Sequence, residues 1–129
     1  MQDLVETRAG RFWIEEGILR FVAAQGTEQS RQDAEESMRV FAQLAAGKRR
    51  PAVMVIVGVK GLSRDARAIY AGPESVKTFS AAAIVVSGST VGRTLVNFIL
   101  AVSKPAYPTR MFEAVDEALS WARAHVLAD

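Results

Sequence analysis

Two continuous apolar runs constrain this chain most: Ala52-Val53-Met54-Val55-Ile56-Val57 and Ala81-Ala82-Ala83-Ile84-Val85-Val86. Each is short, ends in β-branched residues and lacks polar alternation, so each reads as a strand buried on both faces. Such strands belong to parallel sheets, whose crossover helices cover the sheet. The flanking pattern agrees. A turn through Gly58 and Gly61 leads to Ser63, an N-cap for a short helix to Ala71 that Gly72 and Pro73 end. After the second run, Ser87-Gly88-Ser89-Thr90 is a turn, and Val91, Leu95, Val96, Phe98, Ile99 and Val102 mark a helix that Pro105 stops.

Upstream, the spacing predicts an amphipathic helix from Ser30 to Ala46, with Ala34, Met38, Phe41 and Ala45 on one apolar stripe. Ser30 and Asp33 form a capping pair, and Gly47 is the stop. Glu35, Glu36, Arg39 and Gln43 fall off the stripe and should be solvated. Two β-prone runs, Phe12–Ile14 and Ile18–Val22, flank Glu16-Gly17 and predict a hairpin. At the other end, Thr109–Phe112 reads as a short strand, and a last helix runs from Val115 to Leu127 with Val115, Leu119, Ala122 and Val126 inward. The expected order is β-β-α-β-α-β-α-β-α: an α/β fold with a mostly parallel five-stranded sheet and an N-terminal antiparallel hairpin. We expect one domain over residues 1–129, with 1–10 a loose extension.

Composition narrows function by exclusion. The 129 residues include no cysteine, which rules out disulfides, thiol catalysis and Cys-ligated metal. With one histidine, His125, a His-rich metal site is also excluded, and no cofactor is expected. The net charge of +2 is modest, and the Lys48-Arg49-Arg50 cluster has no aromatic interleaving, so nucleic acid is not expected. Cation charge at a helix C-terminus accounts for that cluster. No apolar run has the length of a membrane span, and the opening residues lack a signal-peptide core, so the expected location is cytoplasmic.

In parallel α/β sheets ligands meet the carboxyl ends of strands, where helix N-termini offer free N–H groups. Two such junctions are visible. At the first, Ser63 is either a helix cap or a phosphoacceptor, with Arg64 and Arg67 placed to contact an anion or a partner. At the second, Ser89, Thr90 and Arg93 form a turn without the lysine of a phosphate-binding loop. The loop Lys104-Pro105-Ala106-Tyr107-Pro108-Thr109-Arg110 is stiff and carries Lys104, Tyr107 and Arg110 as contact candidates. Trp13 and Tyr107 are candidate anchors for a partner, or plain core. Tyr70, Phe79 and Phe98 are candidates for an apolar pocket. His125 reads as a surface residue remote from both serine-bearing turns, and no G-x-S-x-G elbow is present, so no catalytic residue is assigned and an enzyme is not expected.

The element order, the helix opening at Ser63 and the ending Phe112-Glu113-Ala114-Val115-Asp116-Glu117-Ala118-Leu119-Ser120-Trp121 resemble the SpoIIAA-like group, which holds the STAS domains and is discussed beside the SEC14 domains. The likeness is to small bacterial members with an Arg…Leu-x-Asn-Phe helix, here Arg93, Leu95, Asn97 and Phe98. Those also have a Ser-x-Pro-x-x-Pro-x-Arg loop, here Ser103, Pro105, Pro108 and Arg110. The resemblance implies a fold with sequential strand order. In the phospho-regulated antagonists a serine sits in an Asp-Ser-Ser-Gly-like turn. Leu62-Ser63-Arg64-Asp65 stands there in this chain and matches only at Ser63. The expected role is a non-catalytic interaction or regulatory module that binds a protein partner or self-associates, with a dimer the expected oligomer. The alternative is a SEC14-like carrier of lipid or another small apolar ligand.

Overall fold

A computed structural model describes residues 4–86 and 106–126. Along the chain run β1 (Val5–Glu6), β2 (Gly10–Glu15), β3 (Ile18–Ala23), β4 (Glu28–Gln29), α1 (Arg31–Ala45), β5 (Arg50–Val55), β6 (Gly61–Leu62), α2 (Arg64–Tyr70), α3 (Pro73–Thr78), β7 (Phe79–Val85), β8 (Thr109–Phe112) and α4 (Val115–Arg123). The main sheet has the order β1-β2-β3-β5-β7-β8, antiparallel at β1·β2·β3 and parallel from β3 onward. It holds six strands where five were expected. The sixth is β1, in the stretch read as a loose extension, where Val5 and Glu6 pair with Phe12 and Arg11. A second sheet of two strands, β4·β6, was also not foreseen, because two-residue strands have no hydrophobic period to read.

The hairpin forms as its turn residues demand. Glu16 and Gly17 both take positive φ, 55° and 77°, which closes a two-residue loop and puts Trp13 opposite Arg20. At the hairpin base Gly10 is sterically required, since a Cβ there would sit 2.2 Å from the Val22 carbonyl oxygen. Helix α1 opens with a full capping box between Ser30 and Asp33, and Ala46 in the left-handed region ends it, with Gly47 also at positive φ. The Arg50 guanidinium donates to the Ala45 carbonyl at 3.0 Å, so the basic cluster satisfies an end of α1, while Arg49 donates to the Phe79 carbonyl. Pro73 ends α2 as expected but also opens α3, where its missing N–H is harmless.

One face of the sheet packs against α1. Phe12, Leu19, Phe21, Ala52 and Phe79 meet Met38, Val40, Phe41 and Ala45 there. Phe41 is the hinge pin of this layer, in ring contact with Phe12, Phe21 and Phe79 at 5.1, 6.1 and 5.2 Å. The opposite face carries α4 over β5, β7 and β8, where Ala118 and Ala122 close on Val53, Ala83 and Val85. Small residues on both sides allow that close approach. Val126, expected on the inner stripe of this helix, is instead 41% exposed beyond its end. Both long apolar strands therefore have helices on both faces, as their composition requires.

Candidate functional site

The carboxyl edge of the sheet is built from short elements that bring two helix starts together. β4 and β6 pair in parallel, Ser63 donates its N–H to the Gln29 carbonyl at 2.9 Å, and the N-caps of α1 and α2 come to lie side by side. A hollow of about 340 Å³ opens there, lined by Glu28, Gln29, Ser30, Gly61, Leu62 and Ser63. Both cap hydroxyls are already used: Ser30 accepts from the Asp33 N–H and Ser63 from the Ala66 N–H at 3.0 Å. The Asp33 carboxylate also accepts from Ser30 and pairs with Arg8. The start of α1 thus carries its own anion. Ser63 and Arg64 are exposed, and Arg67 is half-buried.

Behind this edge, α2 lies on α1 and buries only Ala66. Its last residue, Tyr70, donates its hydroxyl to Gln29 Oε1, and Gln29 is itself buried. Burial pushes the Tyr70 phenol up to about 12, with Ser37 opposing and Asp33 adding to the rise. Ser37 Oγ is buried beside this phenol without a hydrogen bond of normal geometry.

The other sequence candidates are not gathered at this edge. Tyr107 stands at the opposite end of the parallel strands, its ring 5.9 Å from that of Phe79, and burial raises its phenol also. Phe79 is filled in by Phe41 on one side and Tyr107 on the other. Arg110 lies on the α4 face of β8, its guanidinium 5.1 Å from the Phe112 ring. Ser89, Thr90, Arg93, Phe98 and Lys104 fall outside the described residues. His125, expected free at the surface, is half-buried with its ring 4.5 Å from that of Trp121. The Ser80 hydroxyl donates to the His125 backbone carbonyl and not to the ring. Among the described residues no three His, Asp or Glu side chains group as a metal site.

A second region emerges at the antiparallel corner. α4 covers the sheet from β5 to β8, and the same face of β1, β2 and β3 carries Leu4, Arg11, Trp13, Glu15 and Arg20. These residues follow from strand alternation: positions 11, 13 and 15 share the face opposite Phe12. Trp13 Nε1 donates to Glu15 at 3.1 Å, the Arg20 guanidinium lies 5.0 Å from the Trp13 ring, and Arg20 and Glu15 pair at 3.4 Å. The Arg20 side chain is 14% exposed, and burial draws its proton affinity down, with Glu15 opposing and Arg123 of α4 adding to the fall. A hollow of about 350 Å³ is lined by Leu4, Arg11, Trp13 and Glu15. Leu4 is 53% exposed. The sequence marked Trp13 as an anchor but missed its neighbours. The signal was there: Arg11, Trp13 and Glu15 stand at alternate positions before a tight turn.

Among the described residues no helix is long and apolar enough to cross a membrane. No curated protein matches the chain. A crystal structure of an uncharacterized protein from the DUF3478 family with a SpoIIAA-like fold, from Shewanella loihica PV-4, is similar over 95% of this chain and 92% of that one, with a TM-score of 0.60 and 20% identity. At that identity the likeness concerns the fold, and the fold is SpoIIAA-like, as the element order implied. The profile of a domain of unknown function, DUF7793, matches residues 12–126, from the first core residue of the hairpin to the end of the described C-terminal segment, and the chain belongs to that family.

Proposed function

We propose that this SpoIIAA-like domain is a non-catalytic protein-interaction module and that it meets its partner through the antiparallel corner around Trp13. One observation carries the reading. Where α4 leaves the sheet, a tryptophan held by Arg20 and Glu15 borders a hollow beside an exposed leucine. Tryptophan and arginine dominate contact energies at interfaces, and a ring already fixed in place loses little freedom on binding. The α2 start supports a partner less well, because the Ser63 hydroxyl is occupied as a cap. The carrier alternative has less support too, since the Phe79 ring is packed between Phe41 and Tyr107. A cytoplasmic setting without a cofactor belongs to the same reading.

The test is Trp13→Ser. Trp13 is half-buried on an outer face, so the variant should keep the far-ultraviolet spectrum of the wild type. Its affinity for a partner isolated with the wild-type protein should fall at least about tenfold, as for loss of an aromatic anchor. Unchanged affinity in a folded variant overturns the reading.

A further inference from the structure

We infer that the occupant of the Trp13 corner is a second copy of this chain, docked across a twofold axis that passes beside Trp13. The inference rests on the reading that this corner is the interaction surface. It starts from a property that few surfaces have. A twofold interface must be complementary to itself, so that residue i of one copy meets residue j of the other and j meets i. Along β2, Arg11, Trp13 and Glu15 stand in one row on one face, with the ring in the middle and opposite charges at its ends. Successive members are roughly 6.6 Å apart, from the strand rise. Turned about an axis at the centre of that row, a second copy sets its Glu15 against Arg11 and its Arg11 against Glu15, ring beside ring.

The charges needed are available. Arg11 is exposed and has no ion-pair partner among the described residues; Glu6, across from it on β1, does not close one. Glu15 remains 47% exposed even with Trp13 and Arg20 on one of its oxygens, Oε1, which leaves Oε2 for an incoming guanidinium. Leu4, beside Trp13, and the hollow between them supply an apolar seat for the facing ring. The size of the patch sets the strength. β2 and β3, each six residues long and about 4.8 Å apart, with the two residues of β1 beside them, cover at most roughly 14 by 20 Å. That is well below the ~800 Å² per partner of a standard stable interface, so the dimer is weak and forms at high protein concentration.

Sedimentation of the full chain from micromolar to millimolar concentration tests this with charge swaps. Wild type should dimerise; Arg11→Glu alone and Glu15→Arg alone should each weaken self-association at least about tenfold, since each turns two attractions into two repulsions. Mixed together, the two variants should associate with each other, because one copy then carries two acidic and the other two basic ends. The double variant Arg11→Glu/Glu15→Arg should dimerise again, which separates lost complementarity from a damaged fold. A wild type monomeric throughout, or a dimer indifferent to the swaps, overturns the second-copy inference. If a heterologous partner is still lost in Trp13→Ser, the interaction surface itself stands; if nothing depends on Trp13, both fall.

Discussion

Phe41 ties α1 to the sheet, and its removal should be felt as a number. The side chain is 1% exposed and meets the rings of Phe12, Phe21 and Phe79 from the helix side. Phe41→Ala deletes a buried ring and leaves a cavity whose walls are themselves large rings fixed by the sheet, so collapse around it is limited. Phenylalanine truncations in cores lose about 3–5 kcal/mol, and three aromatic contacts place this one at about 4 kcal/mol. Against a total stability of about 5–15 kcal/mol, that is a large share. With an unfolding entropy near ~2.1 cal/mol/K per residue, the midpoint temperature should drop by roughly 15 °C. In urea, with a slope of about 2 kcal/mol/M, the midpoint should move down by about 2 M without a change in slope. Equilibrium unfolding followed by fluorescence of Trp13 and Trp121 and by circular dichroism reads both. Phe41→Leu, which keeps most of the volume, should lose clearly less and provides the readout if the alanine variant does not fold. A loss below about 1.5 kcal/mol for Phe41→Ala would show that the ring cluster does not anchor α1.

Two other perturbations test separate parts of the structure. The neutral Tyr70 phenol is favoured in the folded chain, its value raised from 10 to about 12, so its contribution is whole below pH 10 and disappears as pH climbs through 12. Up to about 3 kcal/mol of stability, two pH units at about 1.4 kcal/mol each, should be lost across that window, and Tyr70→Phe should flatten this part of the pH profile, leaving the slope from Tyr107. Identical profiles for the two proteins would refute the burial argument. Gly10→Ala places a methyl group 2.2 Å from the Val22 carbonyl oxygen and 2.9 Å from the Ala23 Cα, both backbone atoms. The base of the hairpin must open, with a loss of about 3 kcal/mol or more and faster amide exchange at Arg11 and Phe12; a loss under about 1 kcal/mol would mean that the strands adjust freely.

Much of this architecture was legible in order of residues. The parallel core followed from Ala52–Val57 and Ala81–Val86 because a strand without polar positions has no face to show to water. The α1 stripe, its capping box and the Glu16-Gly17 turn were legible because each rests on interactions within a few residues: a hydroxyl reaching an N–H three positions on, or a positive φ that glycine permits. The strand β1 and the β4·β6 pair were not. Two residues carry no period, and their hydrogen bonds depend on partners far along the chain.

The candidate sites divide the same way. Ser63 as a cap was a local fact and stands as one. That Tyr107 sits at the amino end of the strands and Arg110 on the α4 face could not be read from their nearness in sequence, because the crossing of β8 separates them onto different faces. The Trp13 corner is the clearest case. Alternation alone lined up Arg11, Trp13 and Glu15, so the sequence determined the row and its charges. Only the tertiary structure decided that the row would be left open. α4 packs where Ala83, Ala118 and Ala122 let a helix approach closely, and it reaches no farther than Ile18 and Arg20 of β3, so the Arg11–Trp13–Glu15 row of β2 is without a covering helix among the described residues.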